Sequence, residues 1–321
     1  MKRSTILLLT LLSLVALPLA AQVNDTYVIP VSANLPGAFG TRWKTQLSIF
    51  NPQLDRSLNV TITFLPTGGS QGDTVAFDIP ANAVAFSDNI LEDLKFPTSS
   101  GAMLLATFVE DNPGTDVLSR SFLVTSNTYN DSRNGTFGQT IPGIWTGLQD
   151  FNTDGISGVV HGIRNIAKEG WRTNYGAVNL GRCSATLRVS VFDVDGNTIL
   201  DRAPFVMPPQ GHMQDTLPVQ VDRGSIEFFV EDACANDANN SAVVFAYTST
   251  IDQLSGDPQY QTPVLLASPS AIFAKKATHV TSQSEVGKKL DNARAKAIRD
   301  SAIDHGTVQL VRDPSGWRIM R

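Results

Sequence analysis

The chain has few of the side chains that build metal and redox sites. It contains 4 histidines and 2 cysteines in 321 residues. The histidines occur singly, without the His-x3-His or His-Glu-x2-His spacing of a zinc site, at His161, His212, His279 and His305. A metal centre or a catalytic triad built on histidine therefore has almost no local support.

Charged side chains are also scarce, at 17% of the chain. Abundant Thr, Ser, Asn and Gly are typical of strands and turns rather than of surface helices. Residues 22–273 carry 13 Lys and Arg against 25 Asp and Glu, whereas residues 274–321 carry 10 against 5. The acidic character of the larger part and the lack of a glycine-rich phosphate loop argue against nucleic-acid binding. The change of sign marks a separate C-terminal segment.

A long apolar run occurs only at the N-terminus. Lys2 and Arg3 precede it, and the small residues at 18–21 suit signal peptidase. Residues 1–21 are therefore predicted to be a signal peptide. The alternative, a retained anchor, is disfavoured by this cleavage site and by the polar residues that follow. The sequence predicts a secreted, periplasmic or cell-surface protein with no transmembrane segment after cleavage.

Much of the sequence occurs twice, largely at an offset of 128 residues. The repeated pairs include Trp43 and Trp171, Thr45 and Thr173, Asn51 and Asn179, and, at a slightly smaller offset, Thr128 and Thr250. Such anchors in one order indicate two copies of one folded unit. The predicted organisation is a signal peptide (1–21), a first repeat (22–146), a linker (147–158), a second repeat (159–268) and a basic tail (269–321).

Apolar and polar residues alternate within each repeat, as at 60–64 and 187–191, which predicts half-buried antiparallel strands. Seven strands are expected in the first repeat, near 27–31, 45–50, 58–65, 74–79, 83–86, 103–109 and 117–128. A short helical turn capped by Asp88 and running to Leu94 is expected among them. The predicted fold is all-β, with two tandem immunoglobulin-like antiparallel β-sandwiches, and a closed barrel is the alternative.

Aromatic and amide side chains recur at the ends of the predicted strands. Asn51 and Asn179 are expected to satisfy backbone groups where a strand ends. Trp43, Trp171 and Trp145 are candidate platforms for stacking sugar rings. A tryptophan that starts a strand in both copies is more typical of core or edge packing, so the structural explanation stands beside the binding one.

The repeated pattern resembles a known kind of protein. Gly-Thr-Arg-Trp-Lys-Thr-x5-Asn at 40–51, Ile-Pro-Ala-Asn-Ala at 79–83 and Thr-Tyr-Asn-Asp at 128–131 are similar to segments of uncharacterised exported bacterial proteins built from paired β-sandwich modules. The resemblance covers residues 26–264 and implies the architecture alone, since that family carries no established activity. The second copy departs from the pattern at 250–258.

One segment at the predicted junction has the opening of a calcium loop. Asp150, Asn152 and Asp154 supply oxygen at positions 1, 3 and 5, and Gly155 stands at position 6. Position 12 is His161 instead of the usual Glu. The pattern predicts at most weak Ca²⁺ binding, and a plain linker is the alternative.

Both cysteines fall in the second repeat, opposite approximately Asp55 and Asp111 of the first. An even count within one exported domain predicts a disulfide between Cys183 and Cys234, with two buried thiols as the alternative.

The tail combines a predicted helix with a predicted hairpin. Residues 285–302 have helical spacing with a basic face, and 307–311 and 316–320 flank a turn. The basic face is expected to bind an anionic envelope surface or the acidic repeats, or to be merely solvated.

These features together predict an exported, non-enzymatic structural, adhesive or surface-interaction protein whose partner is a protein or glycan at the cell envelope. The alternative is a carbohydrate-binding module that uses Trp43, Trp171 or Trp145. An enzyme comes third: residues 68–72 fit the Gly-x-Ser-x-Gly formula but lie between two strands, so no catalytic residue is assigned.

Overall fold

The computed structural model describes residues 23–37, 40–69, 72–109, 122–132, 135–146, 156–232, 243–267, 308–314 and 316–320. The predicted signal peptide, most of the predicted linker and the predicted helix at 285–302 lie outside these ranges. No helix among the described residues is long and apolar enough to cross a membrane.

Strands make up nearly all of the regular structure. The first repeat contains β1 (Val23–Ala33), β2 (Leu35–Pro36), β3 (Arg42–Phe50), β4 (Leu58–Pro66), β5 (Thr74–Ile79), β6 (Val84–Ser87), β7 (Ser100–Val109), β8 (Leu123–Ser132), β9 (Gly135–Pro142) and β10 (Ile144–Trp145). The second contains β11 (Ile156–Asn165), β12 (Trp171–Asn179), β13 (Ala185–Phe192), β14 (Thr198–Met207), β15 (Gly211–Thr216), β16 (Val221–Asp232), β17 (Val244–Asp252), β18 (Pro258–Gln261) and β19 (Val264–Ala267). The tail contributes β20 (Gln309–Asp313) and β21 (Gly316–Met320). One short helix, α1 (Ile90–Asp93), follows β6, and a 3₁₀ turn (Ala167–Glu169) precedes β12.

The two repeats have the same sheet topology. In the first, sheet A has the order β10-β1-β7-β4-β5, and sheet B contains β6-β3-β8-β9 with β2 paired to β3. In the second, sheet D has the order β19-β11-β16-β13-β14 and sheet C has β15-β12-β17-β18. Nine strands of each repeat thus correspond one to one, whereas among the described residues β2 and α1 occur in the first repeat only. The sheets remain open, which confirms the tandem β-sandwiches and excludes the closed barrel.

Polar contacts recur with the topology. The side-chain amide of Asn51 donates to three backbone carbonyls around the ends of β4 and β5, each at 3.0 Å, and Asn179 donates to two at the equivalent place. Each asparagine also accepts the backbone N–H two residues on. The predicted backbone-satisfying role is confirmed, because these amides bond carbonyls that would otherwise be left unsatisfied in the buried interior.

Two details of the first repeat differ from the sequence prediction. The prediction of seven strands missed β2, β9 and β10. Strands β2 and β10 have only two residues each, and β9 is rich in Gly and Thr and has only two buried positions, so it lacks a strong apolar alternation. The N-cap of α1 is Asn89 rather than Asp88. Asn89 makes no side-chain capping bond, and its backbone N–H instead binds the hydroxyl of Ser87 at 3.1 Å.

Each sandwich encloses an apolar core, Tyr247 of the second repeat packs into the core of the first, and a third cluster joins the two repeats. It contains Val28, Leu65, Ala102 and Leu104 from sheet A, with Val178, Leu180, Val243 and Phe245 from the second repeat. None of these eight side chains is more than 8% exposed. The outer face of sheet A therefore packs against the second repeat instead of facing water.

This packing corrects the expectation that β4 is half-buried. Thr61 and Thr63, on the face predicted to be polar and solvated, are both buried. Thr61 donates to the carbonyl of Ala106 at 3.2 Å, and Thr63 pairs with Thr74 at 2.9 Å. Both hydroxyls form hydrogen bonds within the sheet. A sheet face rich in threonine can therefore be buried as well as exposed to solvent.

The tail hairpin formed by β20 and β21 is confirmed, and it packs on the first repeat. Strand β21 pairs with β6 in parallel, with Trp317 opposite Ala85. Ile319 is fully buried in the core of the first sandwich, and Val308 joins the same cluster. The hairpin thus covers the edge of sheet B, a position where an open strand would offer unpaired backbone groups.

Candidate functional site

A cleft of about 380 Å³ opens where the two repeats meet. This volume falls in the range of about 300–1,000 Å³ that is typical of small-molecule sites. The polar and aromatic lining comprises Trp43, Ser100, Thr128 and Gln139 from the first repeat and Arg172, Asn174, Gln214, Asp215, Thr216 and Ser249 from the second. The cleft thus combines an aromatic ring, a guanidinium, a carboxylate and several amide and hydroxyl groups.

Trp43 is placed in the cleft by three neighbouring strands. It lies on β3 opposite Leu35 of β2 and Asn130 of β8. Gly37 lies against the indole, since a Cβ at this position would stand 2.8 Å from Nε1 of Trp43. A side chain at residue 37 would displace the ring, so this glycine permits its half-buried position.

Gln139 and Ser249 join the two repeats at the cleft wall. The amide Nε2 of Gln139 donates to Oγ of Ser249 at 3.1 Å, and the hydroxyl is also 3.1 Å from Oε1. Both side chains are buried. Because β9 and β17 belong to different sandwiches, this contact fixes one wall of the cleft relative to the other.

A second polar junction is centred on His212 of β15. Its Nδ1 lies 2.9 Å from the hydroxyl of Thr67, and its Nε2 lies 2.8 Å from the hydroxyl of Tyr247. That tyrosine donates to Oε1 of Gln214 at 2.8 Å. The backbone N–H of Gly68 also donates to the carbonyl of His212 at 2.9 Å.

Burial sets the charge state of this junction. His212 is fully buried, and desolvation lowers its pKa to about 3. The same effect raises the pKa of Tyr247 well above its usual value. Both groups are therefore neutral near pH 7, and their hydrogen bonds hold Gln214 at the cleft.

The three candidate tryptophans have different surroundings. Of the three, only Trp43 lines the cleft. Trp171 is covered by the guanidinium of Arg164, whose Cζ lies 4.5 Å from the ring centroid. Trp145 stands opposite Tyr27 in sheet A and packs against the first core. The repeat therefore preserves Trp43 and Trp171 in sequence while placing them in different settings.

The candidate calcium ligands Asp150, Asn152 and Asp154 lie outside the described residues, so weak calcium binding at the junction stays a prediction. Among the residues that the structure describes, no group of three or more His, Cys, Asp or Glu side chains could hold a metal ion.

We expect the protein to contain no free thiol. No cysteine is free in the described part of the chain, where Cys183 lies after β12, whereas Cys234 lies outside it. A bridge between them would close a loop of about 50 residues and stabilise the second repeat by roughly 2–4 kcal/mol. Unreduced, denatured protein should not react with a thiol reagent, whereas reduced protein should label twice. Two labels without reduction would contradict the bridge.

Comparison with known proteins adds no identification. The chain matches no protein-family model, and no curated protein matches it either.

Several residues at the repeat boundary were not singled out from the sequence. In the sequence, His212 is an isolated histidine, and no motif marks Gln139, Asp215 or Ser249 as members of a site. The repeat does carry a signal for His212, because its counterpart at the offset of 128 is Val84. A polar residue at a position that is apolar in the other copy indicates a local role that the fold itself does not require.

Proposed function

We propose that the protein is an exported, non-enzymatic surface-interaction protein that binds its partner through the cleft between its repeats. The observation that carries this proposal is the composition of the cleft: Trp43 of one sandwich faces hydrogen-bonding groups of the other. Concave sites that combine an aromatic surface with a few polar groups are typical of ligand recognition. Because both repeats supply the walls, the tandem arrangement serves to build the site.

The state of His212 supports binding rather than catalysis. A general base must accept a proton near the working pH, and burial holds the pKa of this ring at about 3. Both ring nitrogens are also engaged, by Thr67 and Tyr247. His212 thus links the two repeats through its bond to Thr67.

A carbohydrate is the ligand class that the cleft favours. Sugar rings stack an apolar face on aromatic side chains and bond their hydroxyls to amides and carboxylates. Trp43 offers the first kind of surface, and Asn174, Gln214 and Asp215 offer the second. This observation favours the carbohydrate-binding function over adhesion through an unspecified protein.

Replacing Trp43 with Ala is expected to weaken glycan binding by about tenfold or more, because a central aromatic anchor typically contributes 2 kcal/mol or more. The measurement is binding of the mature protein to a panel of immobilised saccharides, followed by calorimetry on the strongest binder. Trp171→Ala is the matched control, since that ring occupies the equivalent position under Arg164 and away from the cleft.

Two results would count against this function. A panel in which no saccharide binds would exclude the carbohydrate ligand, and equal losses in both variants would show that Trp43 acts only through the fold. The melting temperature of each variant separates a lost contact from a lost structure.

A further inference from the structure

Arg172 on the cleft wall carries a charge that nothing in the described part of the chain balances. Its Nε atom is shielded from solvent and has no hydrogen-bond partner among the described residues. Burial lowers the pKa of this guanidinium, and Arg172 forms no ion pair with a carboxylate of the described residues. Removing a cation from water without a partner is costly, so such a group favours an anion at the site.

Every other described arginine either forms an ion pair or is exposed to solvent, and the exposed ones without an ion pair are Arg56, Arg182, Arg223 and Arg312. The arginines that form ion pairs with Asp or Glu are Arg42, Arg164, Arg188, Arg202 and Arg318. The side chain of Arg172 lines the cleft and forms no ion pair among the described residues.

The repeat shows which partner is missing. The counterpart of Arg172 is Lys44, whose ammonium lies 2.7 Å from Asp131. Asp131 stands three residues after Thr128, and the residue three after Thr250 is Gln253. The second copy therefore keeps the cation and replaces its counter-ion with a neutral amide, at the place where the cleft opens.

The opposite charge in the cleft limits how acidic a ligand can be. Asp215 also lines the cleft, where its Oδ1 accepts the backbone N–H of Thr216 at 2.7 Å. Like charges repel, so this carboxylate disfavours a polyanion such as a sulfated or phosphorylated chain. Asp215 accepts hydrogen bonds from hydroxyls, which a sugar provides. A ligand with one carboxylate and several hydroxyl groups suits both residues. Its carboxylate would pair with Arg172, and its hydroxyls would donate hydrogen bonds to Asp215.

We propose that the cleft binds a short saccharide containing a uronic acid, with the sugar carboxylate on Arg172, a ring face on Trp43 and hydroxyls on Asp215. This inference rests on the carbohydrate-binding function proposed above and adds the acidic class of ligand. A guanidinium suits the role, because its planar fork matches the geometry of a carboxylate.

The test compares three ligands of matched shape by calorimetry on the mature protein. They are a disaccharide ending in a uronic acid, its methyl ester and the corresponding neutral disaccharide. The acid is expected to bind at least about tenfold more tightly than the ester, as a hydrogen bond to a charged group provides. Arg172→Gln should remove this preference, so that this variant binds the acid and the ester equally. Arg172→Lys should keep the preference in weaker form.

Lys44→Gln is the matched control, because it removes the equivalent cation of the first repeat, and it should leave the preference intact. Equal affinity of the unmodified protein for the acid and the ester would overturn the inference without needing any variant to fold. The same holds if Arg172→Gln retains the preference. Binding of neutral sugars without such a preference leaves the proposed function standing, whereas absence of any saccharide binding removes both.

Discussion

Replacing Ile319 with Ala is expected to lower the free energy of unfolding by about 2–5 kcal/mol, the usual cost of emptying a buried isoleucine site. The size of this effect is unusual for a residue so close to the C-terminus, because chain ends normally contribute little. Ile319 is fully buried in the core of the first sandwich. The tail hairpin brings it into the same cluster as Tyr27 and Ile29, which lie about 290 positions earlier in the chain.

Urea denaturation of Ile319→Ala measures this cost, with Met320→Ala as its control. Met320 neighbours Ile319 on β21 but is 48% exposed, so its truncation should change stability by no more than about 0.5 kcal/mol. Similar effects of the two changes would mean that the hairpin does not dock on the first repeat in solution.

Acidification is expected to weaken the junction between the repeats through His212. The folded protein holds the pKa of this ring at about 3, whereas the unfolded chain has a value of about 6.5. Between these values the unfolded state binds one more proton than the folded state, so the free energy of unfolding falls as the pH falls. Within this window the free energy of unfolding changes by about 1.4 kcal/mol per pH unit, and above the window this pH dependence vanishes.

Denaturation curves from about pH 7 to about pH 4 test this dependence, because they cover most of the window between the two pKa values. His212→Gln removes the titrating group while keeping a side chain that can donate and accept hydrogen bonds, so its stability should fall less steeply with acid. His161→Gln is the control, because that histidine is exposed and lies outside the junction. Parallel curves for the unmodified protein and His212→Gln would show that His212 does not titrate between the folded and unfolded states.

The strands that sequence analysis located are those with a strong pattern. Alternation in 58–65 and 74–79 predicted β4 and β5 nearly to the residue, because apolar side chains that fill a core must recur at the period of a strand. In strand β9, Gly and Thr replace most of the apolar residues. Hydrophobic periodicity therefore does not reveal this strand.

The sequence could not predict the cleft, for a different reason. Its walls depend on how two folded repeats pack, and the contact between Gln139 and Ser249 joins residues 110 positions apart. Neither residue belongs to a local motif. The useful signal was the difference between the copies: Val84 against His212 and Asp131 against Gln253 mark places where the second repeat departs from the needs of the common fold.

The position of the cleft has a consequence for valency. Two similar domains in one chain commonly offer two equivalent sites, and their combined avidity can exceed the affinity of either one. Here both sandwiches contribute to one cleft, and their equivalent tryptophans face different surroundings. Under the proposed function, the two domains together form a single binding site, so each molecule would bind one ligand. Multivalent attachment to a surface would require several molecules of the protein rather than its two repeats.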